Sequence, residues 1–435
     1  MQERLPHCAV DQSSTAHRPS SVENCPMTTS SAAHTAPSTT TVPPGAWRAL
    51  LLVTLGFGVN FWAWALLSPL GPVYVARELT ADASLIVAIP VLVGSLGRIL
   101  MGGLSDRFGG HLMFPLVSLI TVIPVLFLGF VGQYTYPTLL VGGFFLGIAG
   151  TTFAIGVPYV NSWFPPAKRG MATGLYGMGM GGTAISAFTT VPLVDSVGEA
   201  APFVITAIAL VLYAVIAWLL MHDAPTWQPS HKNLITQSLA VMKLKVTWQA
   251  CYLYALSFGG YVAFSVFLPT MLQNWYGLEA ADASFRMAGF VIVAVLMRPL
   301  GGILSDRIGA VRTLLCSYIA VAAAALMLAF QPALMPLGTI DFIVMAAGLG
   351  LGSGAVFALV SQTSDPSVVG SVTGFVGAAG GLGGFVPPLV MAAIHTFSGS
   401  YSVGILLLLL ATLGAMAVTV SIARGARRAE RAPAG

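Results

Sequence analysis

Charged residues are scarce in this chain. Only 8% of its 435 residues are Asp, Glu, Lys or Arg, whereas 56% are hydrophobic. Apolar runs of about twenty residues, the length that crosses a bilayer as a helix, recur from Trp47 to Ala423. Because these runs are continuous and do not alternate with polar residues, they predict membrane-spanning helices and not a membrane barrel.

Cysteine is also rare, and its placement excludes two kinds of site. Cys8 and Cys25 lie near the N-terminus, and Cys251 and Cys316 lie in separate apolar runs. This spacing is neither that of a disulfide framework nor that of a metal site. The sequence also lacks a nucleophile arrangement and a phosphate-binding loop with lysine. We therefore expect no metal, no cofactor and no enzymatic activity.

The apolar runs predict an all-α membrane protein with twelve transmembrane helices. Residues 1–45 contain fourteen Ser or Thr and six Pro, which predicts a disordered tail and not a signal peptide. The polar segment 222–246 is a predicted cytoplasmic linker, and residues 424–435 form a predicted basic tail. The predicted spans are 47–70, 84–104, 112–132, 137–160, 170–192, 201–221, 247–272, 286–304, 312–330, 338–361, 369–392 and 401–423.

The distribution of basic residues predicts the orientation of the chain. Of nineteen Lys and Arg, fifteen fall at the termini or in the loops on the same side as the termini, and only Arg77 and Arg286 fall in loops on the other side. By the positive-inside rule, both termini are expected in the cytoplasm, with the protein in the inner membrane. The net charge of +4 is therefore a topology signal and does not indicate a nucleic-acid partner.

The two remaining basic residues, Arg98 and Arg298, lie inside apolar runs. A charge at the bilayer centre costs at least about 2.5–3.5 kcal/mol, and every Asp and Glu lies in a tail, a loop or a span end. Arg98 precedes Asp106 by eight residues, which places it about 12 Å inside a helix. Two guanidinium groups without acidic partners predict a site for a small anion, although each could instead bind backbone carbonyls or reach the headgroups.

Both arginines belong to a repeat with a period of 200 residues. "LVGSLGRILMGGLSDRFGG" at 92–110 aligns without a gap with "IVAVLMRPLGGILSDRIGA" at 292–310, so that Arg98 falls on Arg298 and Asp106 on Asp306. At the same offset, the glycine-rich segment from Gly170 matches that from residue 370. The chain is thus predicted to consist of an N-terminal half (46–221) and a C-terminal half (247–423), with the site between them.

The duplicated motifs "GGLSDRFGG" and "GGILSDRIGA" resemble the loop motif of the major facilitator superfamily. Within it, "VAIPVLVGSLGRILMGGLSDRFGG", "GTTFAIGVPYVNSWFPPAKRGMATGLYGMGMGG" and "GAAGGLGGFVPP" are similar to the nitrate/nitrite porter family. The resemblance implies the major facilitator fold and secondary transport of nitrate or nitrite by alternating access. By the resemblance, the anion that binds Arg98 and Arg298 also contacts the rings of Phe153 and Phe258, the Tyr254 hydroxyl and the glycine segments of Gly177 and Gly380. Separately, helix-end hydrogen bonds and arginine contacts are expected to hold a cytoplasmic gate formed by Asp106, Arg107, Asp306 and Arg307.

One position departs from the family pattern. "GMGM" at 177–180 has Met180 where the family has an anion-binding asparagine, and methionine cannot donate a hydrogen bond. Asn60, in the middle of the first span, could supply the amide, or it could form an interhelical hydrogen bond. Formate, oxalate or cyanate therefore stay open as substrates, as does a receptor that binds an anion without moving it. Coupling to a counter-anion or to protons is also open.

Overall fold

The computed structural model describes residues 42–80, 84–229, 240–364 and 368–431. Most of the predicted N-terminal tail, with Cys8 and Cys25, and residues 230–239 of the predicted linker lie outside this range. All regular elements in the described residues are helices. The predicted all-α fold class is therefore confirmed.

Nine α-helices lie in the N-terminal half. Two short 3-10 segments, Gly147–Thr151 and Met178–Gly181, each join two α-helices without a gap. The helices are α1 Ala46–Trp64, α2 Leu67–Ala76, α3 Ser84–Phe108, α4 Gly110–Phe130, α5 Tyr136–Leu146, α6 Thr152–Trp163, α7 Arg169–Gly177, α8 Gly182–Ser196 and α9 Ala201–Leu220.

Six longer α-helices among the described residues account for the C-terminal half. The last of them continues through most of the segment that the sequence predicts to be a basic tail. The helices are α10 Lys245–Tyr276, α11 Ala280–Ile308, α12 Ala310–Ala329, α13 Thr339–Thr363, α14 Val369–Ser398 and α15 Ser402–Arg431.

Each of the twelve predicted spans coincides with a helical segment, but not all of the segments are regular. Among the described residues, ten helices are long and apolar enough to cross a membrane, and α10, bent by 53° near Ser265, would be an eleventh. The remaining segment, Arg169–Ser196, is not among them. Within it, the glycines of "GMGMGG" allow the tighter 3-10 turn Met178–Gly181 between α7 and α8.

The outer surface of the helices is apolar. Leu100, Ile123 and Leu219 have 60%, 70% and 67% of their surface exposed on three different helices. A water-soluble protein would bury side chains of this kind, whereas a membrane protein presents them to lipid. The chain is therefore a multi-pass membrane protein.

Glycines allow close backbone contacts between the two halves. A Cβ atom on Gly102 of α3 would collide with the Gly370 carbonyl at the start of α14. At the equivalent position of the repeat, a Cβ on Gly302 of α11 would collide with the Gly170 carbonyl at the start of α7. Backbones can approach this closely only where side chains are missing. The two pairs place α3 against α14 and α11 against α7.

The turn after α3 recurs after α11. Gly109 (φ 80°) separates α3 from α4, and Gly309 (φ 93°) separates α11 from α12. Residues with a side chain rarely adopt positive φ, which explains a glycine at both places. The turn fixes Asp106 and Asp306 in the last turn of their helices, where they face the other half of the chain.

Candidate functional site: two buried arginines between the halves

Arg98 on α3 and Arg298 on α11 are both buried, with 2% of their surface exposed. The ion pairs among the described residues join Arg77 to Glu199, His111 to Asp223, and Arg286 to Asp282. Neither buried arginine takes part in any of these pairs. Their positive charges are thus left for neutral acceptors or for a ligand.

Arg98 connects the two halves through backbone carbonyls. Its Nε donates to the Gly150 carbonyl oxygen at 3.0 Å, and its Nη1 donates to the Gly377 carbonyl oxygen at 2.9 Å. Gly150 lies in the 3-10 segment before α6, and Gly377 lies on α14. Binding to backbone carbonyls is one of the alternatives that the sequence leaves open for an intramembrane arginine. These two bonds use only two of the five N–H groups of the guanidinium.

Arg298 has different partners. Its Nη2 donates to the Tyr254 hydroxyl oxygen at 2.8 Å, and its Nη1 donates to the Met180 sulfur at 3.0 Å. Its Nε is buried and has no hydrogen-bond partner among the described residues. A buried, charged donor without an acceptor is costly, and an anion would remove that cost.

Two rings lie close to both guanidinium groups. The Phe153 centroid is 5.4 Å from Cζ of Arg98 and 5.4 Å from Cζ of Arg298, and the Phe258 centroid is 6.0 Å and 5.5 Å from the same atoms. Tyr254 stacks on Phe258 with centroids 4.8 Å apart and planes at 5°. The faces of aromatic rings attract cations, so they stabilise two like charges near each other. The predicted residues Phe153, Tyr254 and Phe258 therefore lie together with both arginines.

Gly177 and Gly380 provide space for these side chains. A Cβ on Gly177 would collide with Nε of Arg298 and would lie 2.6 Å from its Cδ. A Cβ on Gly380 would collide with the Tyr254 ring and would lie 2.8 Å from the Phe258 ring. By contrast, a Cβ on Gly181 would meet no atom within 4 Å. The arrangement of the arginine and the rings thus depends on the first two glycines.

Of the two candidates for polar recognition, Met180 contacts Arg298 and Asn60 has other partners. The Asn60 side chain is fully buried, and its Nδ2 donates to the Gly56 carbonyl and to the Ser118 hydroxyl, both at 2.8 Å. Ser118 lies on α4, so the second bond joins α1 to α4. This geometry matches the interhelical alternative for Asn60.

Asp106 and Asp306 bind helix N-termini of the opposite half. The Asp106 carboxylate accepts from the backbone N–H groups of Gly370 and Ser371 and from the Ser371 hydroxyl, each at 3.0 Å. The Asp306 carboxylate accepts from the N–H groups of Gly170 at 2.9 Å and Met171 at 2.6 Å. A carboxylate at a helix N-terminus is stabilised by the free N–H groups and by the helix dipole.

The arginines that follow these aspartates are exposed. Arg107 lies over the Phe108 ring at 5.4 Å, and Arg307 is exposed at the equivalent end of α11. The structure thus brings the two predicted gate aspartates into contact between the halves and leaves the two predicted gate arginines at the surface.

Sequence reasoning missed three residues of this region. The Tyr261 hydroxyl donates to the Met180 sulfur at 3.4 Å, and Asn161 Nδ2 donates to the Ser361 hydroxyl at 2.8 Å across the two halves. Asn161 and Ser361 are separated by the repeat period of 200, which was a usable signal. Tyr261 has no such signal, since its role depends on how α10 is rotated.

An all-helical membrane protein that consists of two repeats, with buried polar groups at the interface between them, is typical of secondary transporters. The chain belongs to the Major Facilitator Superfamily, whose sequence profile matches residues 53–388 and 250–434. It is similar to the probable nitrate/nitrite transporter NarK2 of Mycobacterium tuberculosis, at 46% identity over 380 residues that cover 86% of this chain and 96% of the relative.

Two further relatives have related names. The nitrite extrusion protein of Bacillus subtilis is 35% identical over 82% of this chain and 90% of the relative. The probable nitrate transporter NarT of Staphylococcus haemolyticus is 34% identical over 82% of this chain and 92% of the relative. Because these relatives and the superfamily are transporters, the chain is a membrane transporter and not an enzyme.

Solved structures support the same fold. The human organic anion transporter MFSD10 has a TM-score of 0.73 at 13% identity, covering 87% of this chain and 100% of that chain. The Escherichia coli fucose:proton symporter FucP has a TM-score of 0.67 at 17% identity, covering 86% of this chain and 98% of that chain. At these identities the likeness concerns the fold and not the substrate.

Proposed function

We propose that this chain transports nitrate, nitrite or both across the inner membrane, and that the anion binds between Arg98 and Arg298. The observation that carries the proposal is that two buried arginines, equivalent in the repeat and outside the ion pairs of the described residues, share the rings of Phe153 and Phe258. A planar oxyanion accepts from guanidinium forks and stacks on rings. The printed names of the relatives support nitrate and nitrite among such anions.

Transport proceeds, in this proposal, by alternating access of the halves 46–221 and 247–423, joined by the linker 222–246. The contacts of Asp106, Asp306 and Asn161 with the opposite half lie at one end of the molecule. The positive-inside rule assigns this end to the cytoplasm, together with both termini. The contacts therefore form the closed cytoplasmic gate, which opens when the halves rock.

Counterflow in proteoliposomes tests the proposal. Vesicles with the purified protein are loaded with unlabelled nitrite, and uptake of isotopically labelled nitrate is measured, with protein-free vesicles as the control. We expect uptake that labelled formate or chloride does not reproduce. Uptake into anion-free vesicles that is driven by a proton gradient would indicate proton coupling, whereas uptake that requires internal anion even with a proton gradient would indicate exchange.

A protein that binds nitrate in detergent but moves none of it would contradict transport and favour a receptor. A protein that moves formate, oxalate or cyanate but neither nitrate nor nitrite would contradict the assigned substrate. Each of these outcomes can be read from the same vesicles.

A further inference from the structure

The Met180 sulfur accepts hydrogen bonds from two different side chains. Arg298 Nη1 donates to it at 3.0 Å, and the Tyr261 hydroxyl donates to it at 3.4 Å. Met180 and Tyr261 are both buried, with 3% and 6% of their surface exposed. A thioether is a weak, uncharged acceptor and cannot donate. It thus occupies an arginine donor without neutralising the arginine.

We propose that the Met180 thioether competes with the transported anion for Arg298, and that it thereby weakens anion binding. In the empty site the sulfur accepts from Nη1. When the anion binds, one of its oxygens takes this N–H, and the thioether is displaced. The inference rests on the proposed function and specifies what sets the affinity of that same site.

The hydrogen-bond partners of Arg298 explain why displacement is favourable. Nη2 is bound to the Tyr254 hydroxyl, and Nε has no partner among the described residues, so Nη1 and Nε are the positions where a charged acceptor gains most. A charged oxygen is a stronger acceptor than a neutral sulfur. Replacement of the thioether by an anion oxygen is therefore favourable. The gain in binding free energy is smaller than it would be if Nη1 had no acceptor in the empty site.

The surroundings of Met180 allow it to move. Methionine has three flexible torsions, and Met180 lies in the 3-10 segment Met178–Gly181, flanked by glycines. A Cβ on the neighbouring Gly181 would meet no atom within 4 Å, so open space lies beside the segment. Gly179 and Gly182 pack closely against Phe57 and Gly58 of α1, so the thioether leaves Arg298 by rotation of its own torsions while the backbone stays in place.

Tyr261 is a positioning residue that acts through Met180. Its hydroxyl binds the same sulfur as Arg298, so it holds the thioether where Nη1 can reach it. Arg98 has no counterpart of this pair, because Gly380 occupies the position equivalent to Met180. Competition of this kind therefore acts on only one of the two arginines.

The test compares Met180→Leu with Met178→Leu in the purified protein. Leucine conserves the volume and removes the acceptor. The dissociation constants of nitrate and nitrite, measured by calorimetry in detergent, should fall about threefold to tenfold in Met180→Leu, as expected for the loss of one competing hydrogen bond. Met178 lies in the same segment and is half-buried, and its replacement should leave both constants unchanged.

Tyr261→Phe gives a second measurement that conserves the fold. It should tighten binding by a smaller factor, and Met180→Leu with Tyr261→Phe should bind no tighter than Met180→Leu alone, because no sulfur is left to position. Binding that is unchanged or weaker in Met180→Leu, while the wild type binds nitrate or nitrite, would overturn the competition and leave the proposed function intact. A wild type that binds neither anion would refute both.

Discussion

Asn161 and Ser361, 200 residues apart in the chain, are hydrogen-bonded to each other across the two halves at 2.8 Å. They occupy the same position in the repeat. In a two-fold arrangement, equivalent residues meet only at the symmetry axis, whereas other contacts occur in reciprocal pairs. Asp106 with Gly370 and Asp306 with Gly170 form such a reciprocal pair. The two halves are therefore joined here by one central contact flanked by two equivalent ones.

Conservative replacement of either buried arginine tests the anion site. Arg98→Lys and Arg298→Lys keep the charge but lose the planar fork, so each should lower the initial rate of nitrate uptake by proteoliposomes at least about tenfold. The double variant should be little slower than either single one, since both forks bind one ion. Arg48→Lys, at an exposed arginine that donates to the Leu220 carbonyl, is the control. Normal uptake by either single variant would contradict the site.

The two glycines that make space for the site can be compared with one that does not. Gly177→Ala places a methyl group against Arg298, and Gly380→Ala places one against the Tyr254 ring. Overpacking of this kind costs about 1–3 kcal/mol, and we expect uptake to fall about tenfold in both variants. Gly181→Ala meets open space and should retain wild-type uptake. Equal uptake by all three variants would show that transport tolerates displacement of the Arg298 side chain and the Tyr254 ring.

Loss of either carboxylate at the proposed gate should open the end of the protein that we assign to the cytoplasm. Asp106→Asn and Asp306→Asn keep the shape but remove the charge at a helix N-terminus, so each should destabilise the closed state by about 1–2 kcal/mol. Spin labels at positions 108 and 308, which are exposed, would report this as a larger population of long distances. Asp195→Asn, at an exposed site, is the control. A distance distribution unchanged in both variants would show that the carboxylates do not hold the gate.

Asn60 should affect stability more than affinity. Its Nδ2 donates to Gly56 and Ser118, so Asn60→Ala removes one bond between α1 and α4 and leaves a cavity in place of a fully buried side chain. We expect a loss of about 1–3 kcal/mol of stability, seen as a lower Tm, with the nitrate dissociation constant nearly unchanged. Met180→Asn, which adds a donor beside Arg298, should instead tighten nitrate binding. Lost affinity at normal stability in Asn60→Ala would identify Asn60 as a ligand.

The predicted orientation can be tested on intact cells. In a background without the native cysteines, a cysteine at position 77 should react with a membrane-impermeant maleimide from outside. Cysteines at positions 168, 232 and 427 should react only after the cells are opened, because these positions lie on the side that the positive-inside rule assigns to the cytoplasm. Labelling of position 232 or 427 in intact cells would reverse the orientation.

Hydropathy predicts the helices well, because the backbone N–H and C=O groups of each span find hydrogen-bond partners in lipid only within a helix. It does not predict the 3-10 segment at Met178–Gly181, since average hydropathy over a window ignores local backbone geometry. The equivalent residues 378–381 also contain glycines, yet they lie within the continuous helix α14. The composition of a glycine segment is thus not enough to predict where a helix changes its turn.

The candidate site was only partly accessible from the sequence. Arg98 and Arg298 stand out because a charge in an apolar run is rare, and the repeat ties them to each other. Tyr261 lies among many other aromatic residues, and only the rotation of α10 directs its hydroxyl at Met180. A partner of this kind is defined by packing between helices, which no local pattern in one helix records.

Each half supplies an aspartate that binds a helix N-terminus of the other half, and this has an evolutionary consequence. Asp106 binds the start of α14 and Asp306 binds the start of α7, so each half supplies the group that completes the other. Two copies of a single six-helix chain, facing each other, would make both contacts at once. A gene duplication with fusion would therefore preserve both contacts from the outset. Afterwards, a position such as 180 can diverge from its counterpart at 380 without disturbing those contacts.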